Sequence, residues 1–139
     1  CKKAHENVVR CLLENGADPN GSSKVKATPL MYACEGGSLT IVQTLIDKGA
    51  DIHTQNLKGS TALTWAAAFG RDEIARLLLT SGAKVDVPGN MESTALIFAS
   101  QSGHTKTVEV LLEFGANIEH QDFDGFSSLF HSSMKNHTE

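Results

Sequence analysis

Thr28-Pro29-Leu30-Met31-Tyr32-Ala33-Cys34-Glu35-Gly36-Gly37, followed by Ser38-Leu39-Thr40-Ile41-Val42-Gln43-Thr44-Leu45-Ile46-Asp47-Lys48-Gly49-Ala50-Asp51, decides how the rest of the chain is read. Thr28 is placed to cap a helix, because its hydroxyl can accept a backbone N–H that the first turn leaves unpaired. Pro29 suits the first helical position, where its missing N–H costs nothing. Gly37 ends that helix. Ile41, Val42, Leu45 and Ile46 then fall at i, i+1, i+4 and i+5, one apolar stripe on a second helix. Gly49 stops it, and the polar stretch from Asp51 to Ser60, with Gly59 inside it, reads as a turn or hairpin leading to the next threonine.

Outward from this stretch the same pattern returns at a fixed step. Gly16-Ala17, Gly49-Ala50, Gly82-Ala83 and Gly115-Ala116 are spaced by 33 residues. Thr28, Thr61, Thr94 and Ser127 keep the step, as do Leu30, Leu63, Leu96 and Leu129. Gly37, Gly70 and Gly103 form another column, and Leu12, Leu45, Leu78 and Leu111 a further one. Several columns in phase mark an internal repeat of two helices and a loop. One such unit buries too little apolar surface to fold alone, so the units must stack into a solenoid.

Bulk composition bounds the function. Of 139 residues, 40% are hydrophobic and 20% charged, which is too apolar for a disordered chain. No run approaches the ~18 apolar residues of a membrane span. The net charge is −4 and the basic residues are scattered, so the basic stripe expected of a nucleic-acid binder is missing. Cys1, Cys11 and Cys34 do not make a disulfide framework, which points to an intracellular protein in a reducing compartment. Cys1 and Cys34 occupy equivalent positions in adjacent units. Stacked helices ~8–10 Å apart hold such a pair beyond disulfide reach, so both are expected to be reduced.

The residues Thr28-Pro29-Leu30-Met31-Tyr32-Ala33, then Gly37 and Leu45-Ile46-Asp47-Lys48-Gly49-Ala50-Asp51, resemble the ankyrin repeat family, and the resemblance runs the length of the chain. It implies an all-α solenoid in which each unit is a helix-turn-helix followed by a β-hairpin or loop. On that alignment residues 1–21 are a partial unit, 22–55, 56–88 and 89–121 are complete, and 122–139 are a second partial unit, with both ends cut within a repeat. The family's histidine after T-P-L is replaced by Met31, Thr64, Ile97 and Phe130, so its side-chain hydrogen bond is expected to be absent throughout. Ser127-Ser128-Leu129-Phe130-His131-Ser132-Ser133-Met134 is the weakest match.

The resemblance also implies a role in binding another protein, through the hairpin tips and the exposed side of each first helix. Carried over by position, the tips hold Lys24 and Val25, Leu57 and Lys58, Asn90 and Met91, and Phe123 and Asp124. Ser60, Ser93 and Phe126 precede the caps, and Glu35 and Gly36, Ala68 and Phe69, and Gln101 and Ser102 are the outer positions of first helices. Phe69 reads equally as an anchor for a partner and as local packing against a neighbouring hairpin. Phe123 and Phe126 have the alternative of lying against a further repeat. Leu57, Phe69, Met91, Phe123 and Phe126 together suggest a partner with an apolar ridge. Tyr32, Trp65, Phe98 and His131 share one column, which we read as packing inside the first-helix layer in preference to a stacking ladder for a ligand.

Asn20, in Gly16-Ala17-Asp18-Pro19-Asn20, resembles the asparagine that asparaginyl hydroxylases modify in this family; as a residue in its own right it is a turn former. The remaining chemistry is sparse. His5, His53, His104, His120, His131 and His137 form no zinc spacing with the cysteines, so no metal and no cofactor are expected. No nucleophile-elbow or phosphate-loop motif occurs, and no catalytic residue is expected. The alternative to partner binding is a structural spacer within a longer array. Val8, Val9, Leu12 and Leu13 lack most of a first-helix partner, so self-association through the ends is expected.

Overall fold

The computed structural model of the chain describes residues 2–135. The helices found there are α1 (Lys2–Glu14), α2 (Pro29–Gly36), α3 (Leu39–Asp47), α4 (Ala62–Ala68), α5 (Asp72–Thr80), α6 (Ala95–Gln101), α7 (Thr105–Glu113) and α8 (Ser128–Lys135). Among the described residues the strand-like content is one isolated bridge, between Gln121 and Ser127. The helices form two layers. The first helices α2, α4, α6 and α8 touch in succession, and the second helices α1, α3, α5 and α7 do the same behind them.

The first helices α2 and α4 begin as the sequence requires, whereas Thr94 ahead of α6 makes no side-chain capping bond. The Thr28 hydroxyl accepts the Met31 N–H, and Thr61 accepts that of Thr64. The Thr64 hydroxyl in turn accepts the Thr61 N–H, which closes a capping box. The absence of side-chain bonding expected in the Met31 column therefore fails at Thr64. Met31 and Ile97 do fill the same position as buried apolar residues. In the last unit the weakly matching segment still forms α8, and a histidine one place further on, His131, bonds Asp122 through Nε2 at 2.7 Å.

The core lies between the layers. Leu30, Leu63 and Leu96 from the first helices meet Val42, Leu45, Ile74, Leu78, Val110 and Leu111 from the second. Full burial of each such side chain contributes about 1.5–3 kcal/mol. Small residues, among them Ala66, Ala67 and Ala99, let neighbouring first helices approach closely. Cys34 belongs to this set: burial pushes its thiol up to about 12, which leaves it an inert packing residue. Its expected relation to Cys1, and any role of His137, fall outside the described residues.

The turn between the two helices of a unit is tied to the unit before it. Arg71 donates through Nε and Nη2 to the Glu35 carbonyl, and His104 Nε2 lies 3.1 Å from the Ala68 carbonyl oxygen. Room for these side chains comes from glycine. A Cβ on Gly70, whose φ is +67°, would stand 2.6 Å from the His104 ring. At the N-terminal end Val8 and Leu12 are exposed on α1, while Val9 and Leu13 are half-buried.

Candidate functional site

The four tips between units share one construction, seen best in the second. The Asn56 N–H donates to the Ser60 carbonyl at 3.0 Å and the Gly59 N–H to the Asn56 carbonyl at 2.9 Å. Asn56 Oδ1 then accepts the N–H groups of Lys58 and Ser60 at 2.9 and 3.0 Å. Asp122 Oδ1 does the same for Asp124 and Phe126 in the fourth tip, and Ser23 Oγ accepts the Ala27 N–H in the first. The third tip has Gly89 at this place and so has no side-chain acceptor. There the Ser93 N–H bonds the Asn90 carbonyl instead, the segment Asn90–Glu92 tightens into a 3-10 turn, and Met91 is driven to φ +58°.

The fourth residue of every tip is left-handed. Gly59 and Gly125 adopt φ +70° and +81° without a Cβ to oppose it, but Lys26 and Glu92 take +56° with one. Backbone bonds lace tips together at two junctions: Leu57 N–H to the Val25 carbonyl, and Phe123 N–H to the Met91 carbonyl. Between the second and third tips Gly59 and Gly89 pack directly, so that a Cβ on Gly59 would lie 3.1 Å from the Gly89 Cα.

Beside the tips, the first helices frame a shallow groove of about 230 Å³. Trp65 and Phe69 line it with ring centroids 6.4 Å apart and planes inclined at 42°. Phe98 from α6, Glu35 from α2, and Ser60, Thr64 and Ala68 complete its lining. Tyr32 meets Trp65 edge to face at 5.3 Å and 75°.

Most of the expected strip is open to solvent. Leu57, Lys58, Asn90, Met91, Phe123, Asp124, Gln101 and Ser102 are exposed, with Phe123 at 76%. Phe69 is 44% exposed while it packs on Trp65, so it is both a packing residue and an accessible one. Ala68 is half-buried, as is Phe126, which stacks on Phe130 at 4.3 Å. Two expectations need correction. Ser60 and Ser93 are only 9% and 7% exposed, because each N–H and carbonyl is turned inward to close its tip. Ser60 nevertheless lines the groove. The aromatic column is also only partly interior packing: Trp65 packs on the core and against Tyr32, yet Tyr32 is 51% exposed and Trp65 and Phe98 are half-buried, with His131 alone buried. The signal was the column itself. Its exposure depends on what flanks each ring, which spacing does not reveal.

Elsewhere, Asn20 is tied across units: its Oδ1 accepts the Asp51 N–H at 2.7 Å and its Nδ2 donates to the Gly49 carbonyl at 3.1 Å. Asp86 repeats the first of these bonds by accepting the Asn117 N–H, whereas His53, at the same place, lines a cavity of about 300 Å³ with Ile52, Lys84 and Val87. No cluster of three or more potential metal ligands occurs among the described residues, and no helix there is long and apolar enough to cross a membrane.

Paired helices stacked in two layers, with tips and an aromatic groove along one edge, define a repeat solenoid that presents a continuous strip. A family model for three ankyrin repeats matches residues 1–88, and a single-repeat model matches residues 91–123. The chain belongs to the ankyrin repeat family, whose repeats are generally protein–protein interaction modules. No curated protein matches it.

Proposed function

We propose that the chain captures a partner protein along the strip formed by Leu57, Met91 and Phe123 at the tips and Trp65, Phe69 and Phe98 in the groove, and performs no catalysis. The observation that carries this reading is the groove: rings of two neighbouring first helices stand partly open to solvent between exposed apolar tips. Partly open aromatics in a concavity are typical binding hot spots, because they bury a large apolar area for few frozen torsions. Phe69→Ala together with Met91→Ala should abolish capture of the native partner and leave the helical content unchanged. Unaltered capture would favour a spacer within a longer array.

Light cysteine usage supports an intracellular setting for this binding. We read Asn20 as a staple between units. Hydroxylation at its Cβ remains compatible with both of its hydrogen bonds, and mass spectrometry of the native protein decides it: unmodified Asn20 throughout removes the modification.

A further inference from the structure

Resting on the reading of the groove as the binding face, we infer that its occupant is a cationic side chain, lysine or arginine, of the partner protein, seated against Trp65 with Glu35 as counter-ion. Two observations meet here. The first is the aromatic surface: an indole face attracts a cation within about 6 Å of its centroid more strongly than any other side-chain ring, and the groove opens onto Trp65 with Phe69 beside it. Tyr32 meets the indole edge to face.

The second is charge. Glu35 lines the same groove half-buried, and among the described residues no cation lies within ion-pair distance of its carboxylate. The Arg71 guanidinium donates to the Glu35 backbone carbonyl but forms no ion pair with its carboxylate, and Lys58 stands exposed at its tip. A carboxylate beside aromatic rings without a counter-ion penalises an apolar guest, which would strip its water and return nothing. A cation restores the pairing and gains the ring face as well. The apolar tips then flank a charged anchor, so the complementary surface is an apolar ridge carrying one basic residue.

Trp65 is the chain's single tryptophan, so one indole N–H resonance reports on the site. The chain is titrated with three short peptides identical except for a central lysine, arginine or norleucine. We expect the lysine and arginine peptides to shift that resonance saturably, with affinity about fivefold or more above the norleucine peptide. Glu35→Gln, which keeps the shape, should bring the basic peptides down towards the norleucine level. The stronger of the two basic peptides identifies the head group. Equal binding of the norleucine peptide, indifference to Glu35→Gln, or no saturable shift up to about 10 mM overturns the inference. Loss of native capture in Phe69→Ala with full capture in Glu35→Gln overturns the cation alone and leaves the binding face standing. Capture unaffected by both variants removes both.

Discussion

The second and third tips occupy the same place in consecutive units and have the same length, yet only one is held by its own side chain. In Asn56–Ser60 a single carboxamide oxygen gathers two backbone N–H groups, and glycine takes the left-handed position. In Gly89–Ser93 the acceptor is missing, and both Met91 and Glu92 are left-handed with side chains attached. The closing bond between first and fifth residues survives in both. The difference teaches that the repeat dictates the reach of a tip, while one polar side chain at its head dictates the path within it. The third tip therefore presents Met91 on a strained backbone, beside the groove.

The largest break in this comparison is expected at Gly59→Ala. It forces a Cβ onto φ +70° and against the Gly89 Cα, and should cost about 2–3 kcal/mol in urea unfolding. Asn56→Ala comes next, at about 1–2 kcal/mol, because two N–H groups lose their acceptor. Asn90→Ala, one place into the tip that has no such acceptor, should stay within about 0.5 kcal/mol. Glu92→Gly goes the other way. Removing the Cβ from a left-handed residue should stabilise the chain by about 0.5–1 kcal/mol, raising the melting temperature by a few degrees.

The smallest effect is a pH dependence at the fourth tip. Burial pushes the Asp122 carboxyl up, but the Phe126 N–H, the His131 ring and the Asp124 N–H outweigh it and hold it below its ordinary value. A carboxyl lowered on folding adds stability that is complete above its unfolded pKa, near 4, and is lost as pH falls through the lower folded value. Stability measured at pH 6 and pH 3 should therefore fall less in Asp122→Asn, which keeps the Asn56-type acceptor without the titrating charge.

The architecture was legible because it rests on periodicity. Leu30, Leu63 and Leu96 are buried in the three complete units, while Leu129 of the same column is exposed in the last, and Thr61 and Gly37 cap helices where their chemistry demands. The site was legible in position and less so in depth. Phe69, Met91 and Phe123 are exposed on the strip, but Ser60 and Ser93 turn inward, since a tip's closing residue spends its backbone on the tip itself. Tyr32 and Trp65 share a column and differ in burial, because Trp65 meets the rings of both Tyr32 and Phe69, while Tyr32 meets one ring. The Thr64 capping box shows the same limit. A pattern written around one residue type does not say that another can supply the bond.

The claim that the strip is a binding face is tested most directly by quantitative capture of the native partner on immobilised chain. Wild type would be compared with Phe69→Ala/Met91→Ala and with Gln43→Ala/Glu109→Ala, which alters exposed residues of the second-helix layer. The account predicts capture lost by the first pair and retained by the second, at equal helical content. Capture retained by the first pair, or lost equally by both, would contradict it.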